Sequence, residues 1–307
     1  MPSNLQSAET QAVGQARWMW PAFAAPGVTW LVLLFLVPFY GVLSVAMGRL
    51  DPIFLRPVPE WNPLRWDVSA FGEVFSDLFG GQLGIIALRT VAYVVLASIL
   101  CVLIGYPVAY FVARRVQKRK ALWLAALLAP FWINYLMRML AWVNLLSPDG
   151  LVNRIWEGLG LAPQEWLAGQ HLTVILGLVY GYIPFFILPL YAALDRIDRQ
   201  VLEAARDLGA SPREAFRRVT LPLSKQGVLA GVVIIMLPMF GDYYTPNLLS
   251  GSPRTRMIGN QIDQFVNQTS SQGGQGAALT LVLMALVAIL MLYYLRNIAR
   301  VTAEARE

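Results

Sequence analysis

Four stretches of the chain run for twenty residues or more without an Asp, Glu, Lys or Arg: Trp18 to Gly48, Thr90 to Ala113, Leu172 to Leu194 and Gly276 to Leu295. A helix of about 20 apolar residues crosses the roughly 30 Å hydrocarbon core of a bilayer, so each stretch predicts a membrane span. Two further segments complete the pattern. Ala121 to Leu146 is interrupted only by Arg138, and Gln226 to Gly241 contains Pro238 and reaches full length if its helix begins near Leu221. The expectation is an all-α membrane protein whose six transmembrane helices occupy residues 18–296, between a tail at 1–17 and a second tail at 297–307.

A different periodicity fills the gap between spans four and five, about residues 195–222. Ile197, Val201, Ala204, Ala205 and Leu208 recur at helical spacing while charges take the other face. Gly209 ends this helix, because glycine enters the left-handed conformation without a Cβ clash. Ser211 as N-cap, Pro212 at the first helical position and Glu214 three residues after the cap restart the chain as a capping box. The second helix carries Ala215, Phe216 and Val219 on one side, with Arg213, Arg217 and Arg218 around it. An angled helical hairpin is predicted. Amphipathicity alone also fits a helix lying on lipid headgroups.

Composition agrees with a membrane subunit. Of 307 residues, 57% are hydrophobic and 14% charged, with mean hydropathy +0.55, against about 25% charged residues in soluble domains. A water-soluble enzyme is excluded. Lys and Arg are retained on the cytoplasmic side of short loops. Arg114, Arg115, Lys118, Arg119 and Lys120 crowd one link, seven more lie from Arg196 to Lys225, and three follow from Arg296 onward. The alternate loops hold Arg49, Arg56, Arg65 and Arg89, then Arg154, then Arg254 and Arg256. Both termini are therefore expected in the cytoplasm, and the net charge of +6 is a topology signal rather than a sign of nucleic-acid binding. The polar first seventeen residues have no small-residue cleavage site after the apolar run, so the first span is expected to stay as an uncleaved anchor.

Chemistry is scarce. One cysteine, Cys101, and one histidine, His171, exclude an internal disulfide, an ordinary zinc site and a Cys/His nucleophile; Cys101 reads as a packing residue and His171 as an interface residue. None of the three lysines follows a glycine, so a Walker A phosphate loop is missing. No catalytic residue, metal site or cofactor is expected in this chain, and energy for any active transport must come from another polypeptide.

The loop reads Glu203-Ala204-Ala205, three residues, Gly209, nine residues, Val219, one residue, Leu221-Pro222. In that spacing it resembles the EAA loop of the permease subunits of type I bacterial ABC importers, with Val219 where that family usually has Ile. Further runs narrow the resemblance. Gly105-Tyr106-Pro107-Val108-Ala109-Tyr110, Pro130-Phe131-Trp132 through Arg138 to Trp142, and Gly150-Leu151-Val152-Asn153 are similar to the polyamine-importing group. So are Gly241-Asp242-Tyr243-Tyr244-Thr245-Pro246, Met257-Ile258-Gly259-Asn260 and Gly276-Ala277-Ala278-Leu279. Permeases for opines and aminoethylphosphonate share much of this. The resemblance implies a non-catalytic subunit of the bacterial inner membrane, carrying spermidine, putrescine or a related small cation. Its implied partners are cytoplasmic ABC ATPase subunits that bind ATP and Mg and grip the loop, a second permease subunit (a paralogue), and a solute-binding protein.

A linear cation needs carboxylates for charge and aromatic faces for cation–π contact. Asp242 leads the candidates: it lies about 17 residues beyond Lys225, roughly 25 Å along a helix, and Pro238 with Gly241 predicts a helix break just before it. Two other readings stay open, a cap on the outer loop or a pair with Arg138. Arg138 reads either as an interfacial side chain reaching outward or as an inward cation neutralising a carboxylate. Trp132, Tyr135, Tyr243 and Tyr244 are candidate aromatic walls, whereas Trp30, Trp123, Trp142, Tyr293 and Tyr294 read as interface belts. In the long loop from Arg49 to Leu88, Val68, Phe71, Val74, Phe75 and Leu78 share one helical face. Gly177 with Gly181 and Gly227 with Gly231 form Gly-x-x-x-Gly pairs, suited to packing within the subunit or against a second permease. A rival class, an ion-coupled transporter built from repeated halves, predicts an internal repeat that the sequence does not display.

Overall fold

In a computed structural model, the backbone is described for residues 3–54, 56–268 and 270–304, and side chains within 21–54, 56–267 and 271–296. Residues 305–307 of the second tail, and the side chains of the first tail, lie outside this description. Helices long and apolar enough to span a membrane are Pro21–Ala46, Gln82–Arg115, His171–Asp195, Pro212–Phe240 and Gly273–Arg296. A sixth span is a pair, Lys120–Trp132 and Tyr135–Gly158, bent by 82°. With that pair counted once, the six-span pattern is recovered.

The break expected just before Asp242 is present at Gly241, and the bend in span three is a further break that the sequence reading did not place. α4 (Lys120–Leu128) tightens into a 3-10 turn at Ala129–Trp132 that contains Pro130. Ile133 is then extended, the Asn134 side chain caps α5 (Tyr135–Leu146) by accepting from the Leu136 N–H, and α6 (Leu151–Gly158) follows. Proline removes a backbone donor and disfavours helix in the residue before it, and a fresh N-cap starts a helix in a new direction. In span five, α10 (Leu221–Phe240) begins at Leu221, runs through Pro238 and stops at Gly241.

Two compact units share these elements. One comprises residues 1–73 and 265–282. Its first helix, α1 (Ser3–Ala46), leads into a two-stranded hairpin in which β1 (Arg49–Leu50) pairs antiparallel with β2 (Pro57–Val58). Tyr40 packs on Trp61 and Trp66, and the Glu60 and Asp67 amides donate to the Ser44 and Met47 carbonyls. Asp67 accepts from the Ser69 amide ahead of α2 (Ser69–Gly80), and that bond holds its carboxyl below the ordinary carboxylate range. Of the predicted apolar face of α2, Val74 is buried, while Val68 and Phe75 are exposed.

The second unit, residues 74–264 and 283–307, has its core in α3 (Gln82–Tyr110), α7 (His171–Asp195) and α10, with α7 packed on both others. Phe186 of α7 is fully buried, and a Cβ on either Gly105 or Gly231 would strike its ring. Gly227 likewise admits Ala193, and Gly177 admits Thr245 and Leu249. Both glycine pairs thus serve close packing inside the subunit, where a missing side chain lets backbones approach. Cys101 is buried in the same core, and His171 bonds the Tyr93 hydroxyl.

Candidate functional site

The loop between spans four and five folds as the predicted hairpin. α8 (Arg199–Asp207) starts at Asp198, whose side chain accepts from the Gln200 N–H, and ends in a Schellman turn. Gly209 N–H donates to the Arg206 carbonyl and Ala210 N–H to the Ala205 carbonyl, with Gly209 at φ +87°. α9 (Pro212–Ala215) opens with the full Ser211–Glu214 capping box and passes through a π-turn at Phe216–Thr220 into α10. The wider turn preserves a continuous helix from the hairpin into span five.

The hairpin has a rooted side and a free side. Phe216 stands edge-on to Tyr106 and Tyr110 of α3, and Tyr106 bonds Ser224 at 2.9 Å. Arg114 donates to the Ile197 carbonyl at 2.9 Å, and Lys120 pairs with Asp195 at 2.6 Å. On the free side Glu203, Ala204, Gly209, Leu221 and Pro222 are exposed, Ala205 and Val219 half-buried, and Leu208 is 90% exposed. Leu208 thus stands as an exposed apolar knob at the end of α8, while the base of the hairpin is tied to α3, α7 and α10.

The second cluster forms where α10 ends. Asp242 is the one buried carboxylate among the described residues. Its Oδ1 accepts from the Thr245 N–H at 3.1 Å; its Oδ2 accepts from the Thr245, Tyr135 and Tyr182 hydroxyls at 2.6, 3.0 and 3.2 Å. Asp242 therefore caps α11 (Tyr244–Leu249) and ties α5 and α7 to it. The turn is locked from behind by α12 (Ile258–Asp263). The Asn260 amide donates to the Tyr243 carbonyl and to Asn247, and a Cβ on Gly259 would lie 2.6 Å from the Gly241 carbonyl oxygen. The run Met257-Ile258-Gly259-Asn260 thus acts as the clasp of the Asp242 turn.

Arg138 corrects two expectations: it neither reaches outward nor pairs with Asp242. It is 8% exposed, with its guanidinium carbon 4.2 Å from the Phe131 ring centre, 5.4 Å from Tyr135 and 5.8 Å from Tyr180. Its Nε and Nη1 atoms are buried without a hydrogen-bond partner. Trp142, assigned above to an interface belt, packs edge-on against Tyr180 behind this group. Tyr135 joins the two charges, its ring toward Arg138 and its hydroxyl on Asp242. Tyr243 and Tyr244 pair at 4.0 Å between ring centres, and Trp132 is 83% exposed, away from the cluster's hydrogen bonds. Sequence reasoning missed Tyr182, Thr245 and Tyr180. Thr245 stood at cap spacing from Asp242; the two tyrosines carry no local signal.

Residues 82–302 match the family described as the inner membrane component of binding-protein-dependent transport systems. The chain belongs to this permease family. The permease is 33% identical over 271 residues to the spermidine/putrescine transport system permease protein PotB of Haemophilus influenzae, covering 87% of this chain and 90% of that one. It is 32% identical over 273 residues to PotB of Escherichia coli, covering 88% and 94%. A bacterial alginate ABC transporter, solved with an alginate-bound periplasmic protein, includes a chain of the same fold: TM-score 0.71 at 18% identity, over 94% of the permease and 96% of that chain. The permease is accordingly a non-catalytic, multi-pass inner membrane subunit with the type I ABC importer fold, and the resemblance to the polyamine group holds over most of its length.

Proposed function

We propose that this permease forms the translocation path for polyamines of the spermidine and putrescine class in an ATP-driven importer. The observation that carries the reading is its similarity to spermidine/putrescine permeases across 87–88% of the chain. Two arrangements support it. The hairpin at Glu203, Ala204, Ala205, Gly209, Val219, Leu221 and Pro222 presents an exposed tip on a rooted base, as a lever for a separate ATPase that binds ATP and Mg requires. Asp242, Tyr135, Tyr243 and Tyr244 bring a carboxylate and aromatic faces to the end of α10, with Arg138 beside Tyr135 and Trp132 exposed apart from them, the material of a cation path. A paralogous second permease completes the path, and a solute-binding protein delivers the cargo from outside.

The test is ATP hydrolysis by the reconstituted complex, stimulated in turn by its binding protein loaded with spermidine, putrescine, an opine or aminoethylphosphonate. Stimulation by the two polyamines alone is expected. Stimulation by an opine or aminoethylphosphonate in their place would replace the substrate assignment.

A further inference from the structure

The group around Arg138 is unusual as a resting place for a guanidinium. A buried cation ordinarily sits against a carboxylate, whose attraction offsets the cost of taking the charge out of water. Here the only buried carboxylate among the described residues, Asp242, is engaged by Thr245, Tyr135 and Tyr182, and Arg138 lies instead among three aromatic faces with Nε and Nη1 unpartnered. The faces come from both arms of the bent span and from its neighbour. Phe131 belongs to the turn before the bend, Tyr135 to the helix after it, and Tyr180 to α7. Aromatic faces converging on one point are the chemistry that recognises alkylammonium groups.

We propose that Phe131, Tyr135 and Tyr180 form a cation subsite whose occupant in this conformation is the permease's own Arg138, a built-in stand-in that an ammonium group of the cargo displaces. The proposal deepens the polyamine reading and rests on it for the identity of the cargo. Three features favour exchange over a fixed packing role. The guanidinium forms no hydrogen bond through Nε or Nη1 that would have to be broken. Tyr135 links the cage to Asp242, so a guanidinium leaving the cage has a carboxylate next to its path. Phe131 and Arg138 sit on opposite sides of the 82° bend, so the contact between them closes the bend, and cargo in the cage releases it. Arg138 thus sets a threshold: a cargo cation must outcompete it.

The test uses the assembled transporter in lipid nanodiscs and measures equilibrium binding of radiolabelled spermidine and, separately, of tetramethylammonium. Tetramethylammonium probes the cage without assuming a polyamine cargo. R138Q removes the competing charge at similar length and is expected to tighten both affinities at least about fivefold, within the range of a desolvated cation–π contact. Adding Phe131→Leu should abolish that gain. R138K, which keeps a cation but not the flat guanidinium, is expected to fall between wild type and R138Q, and it serves as the test if R138Q does not assemble. Unchanged or weaker tetramethylammonium binding in R138Q, or in R138K if that is the variant that assembles, overturns the cage. Tighter tetramethylammonium binding with no spermidine bound by any form leaves the cage standing and removes the polyamine assignment.

Discussion

At the scale of single residues, Asp242 and Gly259 bear on the same turn by different means. Four donors meet the Asp242 carboxylate; an asparagine there would face three hydroxyls with an amide that accepts on one side only. Hydrogen bonds to a charged group are worth about 1.5–3 kcal/mol, and a stranded buried donor costs on the order of 1–3 kcal/mol. Asp242→Asn is therefore expected to lower the thermal midpoint of the purified complex and to cut polyamine uptake while the subunits still copurify; unchanged uptake would remove Asp242 from the path. Gly259→Ala puts a methyl 2.6 Å from the Gly241 carbonyl oxygen. Backbone on both sides leaves little room to yield, so a comparable loss of thermal stability is expected. Asp242 was legible in the sequence as a lone acid beyond an apolar run, and its cap spacing to Thr245 was also there. Its bonds to Tyr135 and Tyr182 were not, since they cross 107 and 60 residues of chain.

At the scale of elements, the hairpin's behaviour follows from how it is rooted. A Cβ on Gly209 would meet nothing within 4 Å, yet the residue sits at φ +87°. The obstacle to substitution is thus backbone strain, on the order of 1 kcal/mol for a small side chain and more for a β-branched one. Gly209→Val is expected to leave the permease in the membrane but to lose stimulated ATP hydrolysis and uptake together. Survival of both would break the lever account. Phe216→Ala empties the contact with Tyr106 and Tyr110, and loss of a packed phenylalanine costs about 3 kcal/mol at a fully buried site. Phe216 is half-buried, so a smaller loss of stability is expected, with ATP hydrolysis surviving better than uptake because the base slips while the tip still docks. By contrast Lys120→Ala should change neither, since exposed ion pairs contribute about 0–1 kcal/mol.

At the scale of the whole molecule, the chain belongs to the permease family, and none of its lysines follows a glycine as a Walker A phosphate loop requires. Vesicles carrying the full transporter are expected to take up polyamine only with ATP inside the compartment that holds the hairpins, and to stop when ATP is withdrawn. Uptake by this chain alone, driven by an ion gradient, would point instead to the repeated-halves class of transporter. The Gly-x-x-x-Gly pairs bear on assembly at this scale. They are filled by Ala193, Phe186, Thr245, Leu249 and Tyr135 of the same chain.

The sequence by itself determined what depends on near neighbours along the chain. Apolar run length set the spans, and glycine, serine, proline and glutamate at fixed offsets set the hairpin, because helix ends are decided within four or five residues. The tertiary structure alone decided which side chains from distant segments converge. A proline shows that a helix can bend but not by how much, so the 82° bend and the rings it gathers around Arg138 emerge only once α5 has packed against α7. The same holds for the Asp242 network: burial gives its partners their energetic weight, and burial is a property of the assembled helices.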